Sequence, residues 1–301
     1  MNILLTGASG FLGSVLYAEL QKKHTVYTLG RTEGINTIVC DLSSQIPELG
    51  AYKFDTIIHA AGKAHMVPEI EAEKQAFYDV NLQGTKNLLS AVDNLHIKPK
   101  SLIFISSVAV YGLNEGENIN ESTPLNATDP YGHSKILCEY YLKEWGAENG
   151  ISITILRLPL IAGKNPPGNL QAMAIGIKKG YYFNIKANHA RKSIVLAEDV
   201  AKLLAATDLP AGTYNLTDGY HPTFKEISKV ISSQIRRPLP PELPYWLVRF
   251  LAFCGNIIGR KAPLNTSKLK KMVSSLTFDD TQAKEHLNWQ PLPVLDNFLI
   301  E

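Results

Sequence analysis

A chain of 301 residues with 45% hydrophobic and 19% charged residues has an ordinary folded-protein composition, with room for one large domain or two modest ones. A formal net charge of +2 and a pI near 8.3 are too mild to point to nucleic acid, yet would not repel a phosphorylated small molecule. Three widely spaced cysteines, Cys40, Cys138 and Cys254, argue against a disulfide framework or a metal centre and for a reducing, cytoplasmic setting.

Met1-Asn2 runs straight into Ile3–Gly7 with no basic start and no long apolar stretch, so no signal peptide is expected. The first half then alternates short β-branched runs with stretches of helical period, the signature of a parallel sheet with crossover helices. Strands are expected at Asn2–Thr6, Thr25–Leu29, Thr37–Cys40, Phe54–Ala60, Ser101–Ser106 and Ile151–Leu158, and helices at Phe11–Lys22, Glu71–Val92 and Tyr131–Glu148.

Between the first strand and the first helix lies Thr6-Gly7-Ala8-Ser9-Gly10-Phe11-Leu12-Gly13. Glycines at 7, 10 and 13 suit a tight turn, a backbone that approaches a pyrophosphate, and a helix start whose amides face the anion. Their spacing is not G-x-G-x-x-G, so the strand–turn–helix setting carries the reading. The fold class that follows is α/β, a Rossmann-type doubly wound parallel sheet.

At the end of the second strand, Leu29-Gly30-Arg31 has no carboxylate to hold a ribose 2′-hydroxyl. Arg31 offers a charge-assisted partner for a 2′-phosphate instead, which favours NADP with NAD as the alternative; a solvated surface charge would read the same way. Asp41 and Leu42, after the third strand, fall where an adenine ring should lie. Ala60, Ala61 and Gly62 are small enough to let backbone meet cofactor, and the preceding His59 reads as a packed, hydrogen-bonded histidine. Asn81, in Asn-Leu-Gln-Gly-Thr, either fixes backbone near the site or is a satisfied buried amide.

The fifth strand, SLIFISS at 101–107, ends in two hydroxyls. Tyr131 and Lys135 are four residues apart, hence on one face of a helix whose first turn suits Pro130. Oxidation of a carbinol requires its hydroxyl proton to be taken, and a phenol of pKa ~10 is a poor base at neutral pH. A cation ~4 Å away at an effective dielectric of ~20 is worth at most ~4 kcal/mol, about three pKa units. Lys135 and an oxidised nicotinamide together would thus bring Tyr131 towards neutrality, while Ser107 hydrogen-bonds the substrate oxygen. Alone, Tyr-x-x-x-Lys is as easily a surface pair. Joined to the glycine turn and the strand-end serine, in that order, it points to hydride transfer at a hydroxyl carbon.

After Leu158 the rhythm breaks at Pro159, Gly163, Pro166, Pro167 and Gly168, and again at Pro238, Pro240, Pro241 and Pro244. The expected organisation is a dinucleotide-binding domain over 1–160 and a smaller, mainly substrate-binding part over 161–301. Segments within about 192–218, such as Lys192–Ala197 and Thr213–Thr217, are expected to return to the first sheet. Residues 244–259 read PYWLVRFLAFCGNIIG, short of the ~18–20 uninterrupted apolar residues of a membrane span. A buried helix covering a substrate cleft is the first expectation. A surface helix in peripheral contact with a membrane is the second, because Arg260, Lys261, Lys268, Lys270 and Lys271 follow.

With these motifs in place, the chain resembles the extended short-chain dehydrogenases/reductases of the nucleotide-sugar epimerase and dehydratase kind over nearly its whole length. The resemblance rests on TGASGFLG at 6–13, HAAG at 59–62, NLQGT at 81–85, SSVAVYG at 106–112, YGHSK at 131–135, FDD at 278–280 and LNWQP at 287–291. It implies Ser107, Tyr131 and Lys135 as the catalytic set, with Ser107 and Tyr131 also touching substrate. Along the cofactor it implies Gly7, Gly10, Phe11, Leu12, Gly13, Arg31, Asp41, Leu42, Ala60, Ala61, Gly62, Asn81 and Pro159, together with Tyr131 and Lys135. Val108 and Ala109 stand where the family's 4,6-dehydratases resemble one another in carrying an acid and a base, so dehydration is not expected. Arg157-Leu158-Pro159-Leu160 lacks the Asn of the epimerases' Arg-x-x-Asn, and Asn169 is the substitute sugar contact. Arg191 or Lys192 stands where relatives grip the diphosphate, with a solvated basic strand end as the equal competitor.

The implied function is that of an NAD(P)-dependent oxidoreductase acting at C4 of a nucleotide sugar, UDP-linked by preference, in cell-surface polysaccharide precursor synthesis. It would work as a 4-epimerase or as a 4-keto-sugar reductase. The alternatives are the same hydride chemistry on a lipid-linked sugar or a hydroxysteroid- or flavonol-like alcohol, and a cofactor-sensing protein without catalysis, which a retained Tyr-Lys pair disfavours. A cytoplasmic homodimer is expected, its seam built from residues 71–92 and 131–148.

Overall fold

The structure, a computed structural model, describes residues 1–64, 66–206, 209–258, 262 and 264–300. Its strands are β1 (Asn2–Thr6), β2 (Thr25–Gly30), β3 (Thr37–Val39), β4 (Thr56–His59), β5 (Ser101–Ser107), β6 (Gly116–Ile119), β7 (Ser152–Leu158), β8 (Leu160–Ala162), β9 (Asn184–Ile185), β10 (Ile194–Leu196), β11 (Gly212–Asn215), β12 (Glu242–Leu243) and β13 (Leu276–Phe278). The helices that matter below are α1 (Phe11–Leu20), α2 (Glu71–Phe77), α3 (Gly84–Asp93), α4 (Pro130–Asn149), α5 (Asn169–Lys179), α6 (Ala197–Ala205), α7 (Phe224–Gln234), α8 (Tyr245–Ile258) and α9 (Thr266–Val273).

Seven parallel strands form the central sheet in the order β11-β7-β5-β4-β1-β2-β3. β1, β4 and β5 are buried along almost their whole length, which is why they read as unbroken apolar runs rather than alternating ones. One face of the sheet is covered by α1 through Leu12, Leu16 and Leu20 and by α6 through Val200, Leu203 and Leu204. The other is covered by α3 through Leu88, Leu89 and Val92 and by α4 through Cys138, Leu142 and Trp145. From β1 the chain steps outwards to β2 and β3, then returns to lay β4 on the opposite side of β1. The connections diverge at the carboxyl ends of β1 and β4, and such a switch point opens a crevice for ligand.

Two expectations for the segments around the main sheet need correction. Residues 71–92 are not one α-helix, because a π-helical turn, Tyr78–Gln83, separates α2 from α3. Lys192–Ala197 does not return to the first sheet, since β10 pairs with β8 in a two-stranded ladder. The cause is Pro159: without an N–H it ends the ladder of β7 at Leu158, so β8 leaves the sheet and β10 follows it. β11, by contrast, does edge the main sheet beside β7.

The remainder packs around smaller apolar clusters, one between α5 and α7 (Leu170, Met173, Ile177, Ile227, Ile231) and one under α8. α8 is not the buried helix expected over a cleft: Val248 and Ala252 are fully buried against Ile185 and Leu269, but its opposite face is exposed. Gly259, Arg260 and Lys261 of the basic apolar segment lie outside the described residues. Among the described residues no helix is long and apolar enough to cross a membrane.

Candidate active site

β1 delivers the glycine turn to the crevice. Gly7 has φ +75°, and a Cβ on it would stand 2.6 Å from the Ala61 nitrogen and 2.8 Å from the Ala60 carbonyl carbon. A Cβ on Gly13 would stand 1.9 Å from the Gly7 oxygen. Both glycines are therefore required by close approach, of the turn to the end of β4 and of α1 to the turn. Gly10 is less closely confined, since a Cβ there would meet the Gly7 oxygen at 3.3 Å, a contact that needs a shift of a few tenths of an ångström. It starts α1 without a capping side chain or a carboxylate in the first turn. The amides of Phe11, Leu12 and Gly13 thus lack intrahelical acceptors at the positive end of the helix dipole, and an anionic diphosphate fits them.

Behind the turn, Thr6 Oγ1 accepts from the Ala61 N–H at 3.0 Å and so gives its own proton to His59 Nδ1 at 2.7 Å. His59 Nε2–H then donates to Thr85 Oγ1 (2.9 Å), which donates to the Asn81 carbonyl (2.6 Å). Burial, helped by the charge on Lys135, pushes His59 down to about 3. The ring is a neutral strut, the packed histidine that its sequence context suggested. Arg31 is exposed at the end of β2. Asp41 accepts from Ser43 N (3.0 Å) and Oγ (2.7 Å), and these bonds hold its carboxyl below the usual range, with Arg31 a lesser influence. The Leu42 carbonyl accepts from Asn87 Nδ2 at 2.7 Å.

β5 ends at Ser107, whose Oγ accepts from the Ala109 N–H (3.2 Å) and turns the strand into a 3-10 turn, Val108–Tyr111. Asp129 caps α4 by accepting from Gly132 N at 3.0 Å. A Cβ at Gly132 would meet Ala127 Cβ at 2.5 Å and the Ala109 oxygen at 2.8 Å, so the helix start is pressed onto the turn after Ser107. There the half-buried Tyr131 comes near enough to Ser107 for the serine hydroxyl to act on its phenol. Burial raises the Tyr131 pKa most; Ser107 opposes it and Asp129 adds to it.

Lys135 Nζ donates to the Ile105 carbonyl at 2.8 Å and lies 4.4 Å from the Phe104 ring centroid. Burial draws its pKa down, against the influence of Cys138 and Glu139. A Cβ on Gly62 would stand 3.2 Å from that nitrogen and 3.1 Å from Asn81 Oδ1. Gly62, Asn81 and Lys135 therefore converge, and the π turn is what places Asn81 there, as such turns do at functional sites. Asn81 accepts from Lys63 N (2.7 Å) and donates to Ser134 Oγ (2.9 Å).

Sequence reasoning missed a buried network behind Ser107. Ser106 Oγ donates to Glu139 Oε1 (2.5 Å), and Arg157 grips the same carboxylate with Nε (3.1 Å) and Nη2 (2.6 Å). Arg157 Nη1 also donates to Tyr111 Oη (3.0 Å), which donates to Asn215 Oδ1 (2.8 Å). Arg157, which opens the segment lacking the Asn of Arg-x-x-Asn, is engaged inside the protein. Glu139 was findable, since it stands one helical turn beyond Lys135 on the same helix.

On the substrate side the structure separates the candidates. Asn169 opens α5 and is exposed, and Pro159 is half-buried between β7 and β8. The Arg191 guanidinium is turned to the carbonyls of His221 (3.0 Å) and Tyr220 (3.4 Å). Lys192, half-buried, has no carboxylate partner among the described residues. Burial, then the like charge of Lys271, brings it down to about 8.

A family model described as the NAD dependent epimerase/dehydratase family matches residues 3–213. An N-acetyl-alpha-D-glucosaminyl-diphospho-ditrans,octacis-undecaprenol 4-epimerase from Escherichia coli O157:H7 is 28% identical over 297 residues, spanning 93% of this chain and 88% of that one. A UDP-glucose 4-epimerase from Vibrio cholerae is 25% identical, spanning 96% and 90%. The crystal structure of UDP-glucuronic acid 4-epimerase from Bacillus cereus in complex with NAD matches with a TM-score of 0.76 at 19% identity, covering 99% of this chain and 96% of that one. That likeness establishes a shared fold.

Proposed function

The chain belongs to the NAD-dependent epimerase/dehydratase family, and we propose that it is a 4-epimerase that oxidises and re-reduces C4 of a diphosphate-linked sugar. The observation that carries this reading is the meeting of Ser107 and Tyr131 at the carboxyl end of β5, with Lys135 one helical turn on and the glycine turn across the crevice. The two curated relatives, both 4-epimerases, favour epimerisation over net reduction.

A nicotinamide dinucleotide, when bound, supplies the hydride acceptor and donor. Gly7, Gly10 and the first amides of α1 hold its diphosphate, and Gly62 leaves room beside Lys135 and Asn81. Tyr131 takes the proton of the C4 hydroxyl and later returns it to the same oxygen, while Ser107 keeps that oxygen in line. Lys135 lowers the proton affinity of the phenol, which burial, with a smaller push from Asp129, has raised. Lys192 is the diphosphate contact, because the Arg191 guanidinium is engaged with carbonyls. An anchor there lets the sugar turn over without leaving.

Arg31, exposed with no carboxylate in its place at the end of β2, favours NADP over NAD. Arg31→Ala is expected to shrink any preference for NADP+ over NAD+ about tenfold in a thermal-shift titration; an unchanged ratio would remove the arginine from cofactor selection. The main test is interconversion of C4 epimers of UDP-linked and polyprenyl-diphosphate-linked N-acetylhexosamines with no external reductant. Tyr131→Phe should lose roughly 10²–10⁴-fold in kcat with cofactor still bound. Stoichiometric consumption of NADPH by a 4-keto sugar, with no epimer interconversion, would make the protein a reductase.

A further inference from the structure

On the outer face of α8, Trp246, Phe250, Phe253 and Ile257 are 70%, 60%, 64% and 83% exposed. Their spacing of four, three and four residues aligns them in one stripe, opposite the buried Val248 and Ala252. Single apolar residues on a surface are ordinary, whereas a continuous line of large ones marks a contact. The charge around this line has one sign. Between Glu242 and Asp279 the sequence holds no carboxylate, while Arg249 flanks the stripe and Lys268, Lys270 and Lys271 are exposed on α9, which packs against the inner face of α8.

We propose that α8 and α9 form a docking surface for an anionic lipid bilayer. An interfacial helix needs an apolar line to enter the headgroup boundary and basic side chains to meet anionic lipid, and this pair of helices supplies both. A second copy of the chain suits the face less well, because a two-fold contact would bring the two basic rims together.

The surface is joined to the candidate active site. Lys271 of α9 lies close enough to Lys192 for its charge to be felt there. Lys192 bridges to Leu276 of β13, and Phe278 of that strand stacks on Tyr111, 5.6 Å between centroids, in the turn after Ser107. Lys192 and Lys271 thus offer a diphosphate site that is joined through β13 to the turn after Ser107 and, through Lys271, to α9. Resting on the C4 reading above, the proposal makes the substrate class a sugar diphosphate carried on a membrane lipid, with its chain in the bilayer and its sugar in the crevice.

Trp246 provides the readout, since Trp145 and Trp289 are buried. The full chain is mixed with phosphatidylcholine vesicles, with or without about a third phosphatidylglycerol, then pelleted and its tryptophan emission recorded. Co-pelleting with the anionic vesicles and a blue shift are expected. Trp246→Glu/Phe253→Glu should weaken binding about tenfold or more, and Arg249→Glu/Lys270→Glu should remove the preference for anionic lipid, both with unchanged thermal unfolding. On substrate, Trp246→Glu/Phe253→Glu should lose turnover of a vesicle-borne polyprenyl-diphosphate sugar but keep that of a short-chain, water-soluble analogue.

Wild type left in the supernatant with both kinds of vesicle, or variants that pellet equally well, overturns the proposal. So does a wild-type dimer that Phe253→Glu splits in the absence of vesicle binding, which would give the face to a second copy. If vesicles bind but neither substrate is epimerised, the docking surface stands and the C4 reading falls.

Discussion

The Glu139–Arg157 pair offers the sharpest quantitative test of how this site is built. Glu139 is 0% and Arg157 2% exposed, and the guanidinium holds both carboxylate oxygens while Ser106 donates to one of them. Arg157→Met keeps much of the stem's apolar volume but strands the carboxylate with a single hydroxyl donor. Breaking a buried pair in this way costs about 3–5 kcal/mol, because the remaining charge has neither water nor partner. The carboxyl can escape part of that cost by taking up a proton, so its folded-state pKa rises above its unfolded value. The penalty is then full above the raised pKa and shrinks as the pH falls through it. Urea unfolding of wild type, Arg157→Met and Arg157→Met/Glu139→Leu, at several values between about pH 5 and pH 8, reads this directly. The single variant should lose about 3–5 kcal/mol at the alkaline end and less at the acid end, and the double variant should recover most of it. Since Ser106 adjoins Ser107, kcat in the single variant should also fall about tenfold with KM little changed. A deficit below about 1 kcal/mol, or one flat with pH, refutes the reasoning.

The glycine turn and the substrate-side lysine give two further outcomes. Gly13→Ala places a methyl 1.9 Å from the Gly7 oxygen and should abolish cofactor binding by thermal shift, whereas Gly10→Ala, whose methyl meets the same oxygen at a close but relievable 3.3 Å, should weaken it by about tenfold; equal losses would mean that close packing of α1 on the turn is not what matters. Lys192, brought down to about 8, is charged below that pH and neutral above it. Its contribution to diphosphate binding is therefore present at about pH 7 and lost by about pH 9, so KM should rise about tenfold across that range. Lys192→Met should show a high KM without that rise, and a flat wild-type profile would take the lysine out of the diphosphate site.

The nucleotide-binding half was legible because its signals are local. An apolar run such as NILLT ends in glycines that steric contact demands, and Tyr131 and Lys135 share a helix face by spacing alone. What escaped was decided by partners distant in sequence. The π turn at Tyr78–Gln83 interrupts a helix whose composition shows no break, because it is stabilised from outside through Asn81 by Lys63 and Ser134. The fate of Lys192–Ala197 depended on Pro159 ending a ladder some thirty residues earlier. α8 is apolar around most of its circumference, so its sequence says that one side is buried without saying which; packing against distant residues such as Ile185 and Leu269 selects Val248 and Ala252. The pairing of Arg157 with Glu139 could not be read, because the two stand on different elements.

The ion pair and Lys135 also explain one another. The immediate neighbours of the Lys135 ammonium are uncharged: the Ile105 carbonyl, the face of Phe104, and the backbone at Gly62. Glu139 stands one turn away on the same helix and contributes to the proton affinity of Lys135. A free carboxylate there would draw the ammonium towards itself and away from Tyr131. Arg157 and Ser106 instead occupy both of its oxygens, so the positive charge on Lys135 stays largely uncompensated. A lone cation in a buried site acts most strongly on a negative charge next to it, and in the proposed cycle that charge is the phenolate of Tyr131, present before it takes the C4 hydroxyl proton and restored when it gives the proton back. The loss of kcat expected for Arg157→Met therefore has two sources, a displaced Ser107 and a released Glu139. Arg157→Met/Glu139→Gln separates them: it keeps an acceptor for Ser106 and removes the competing charge, so recovery of activity relative to Arg157→Met assigns the loss to the released carboxylate, and no recovery assigns it to the displaced Ser107.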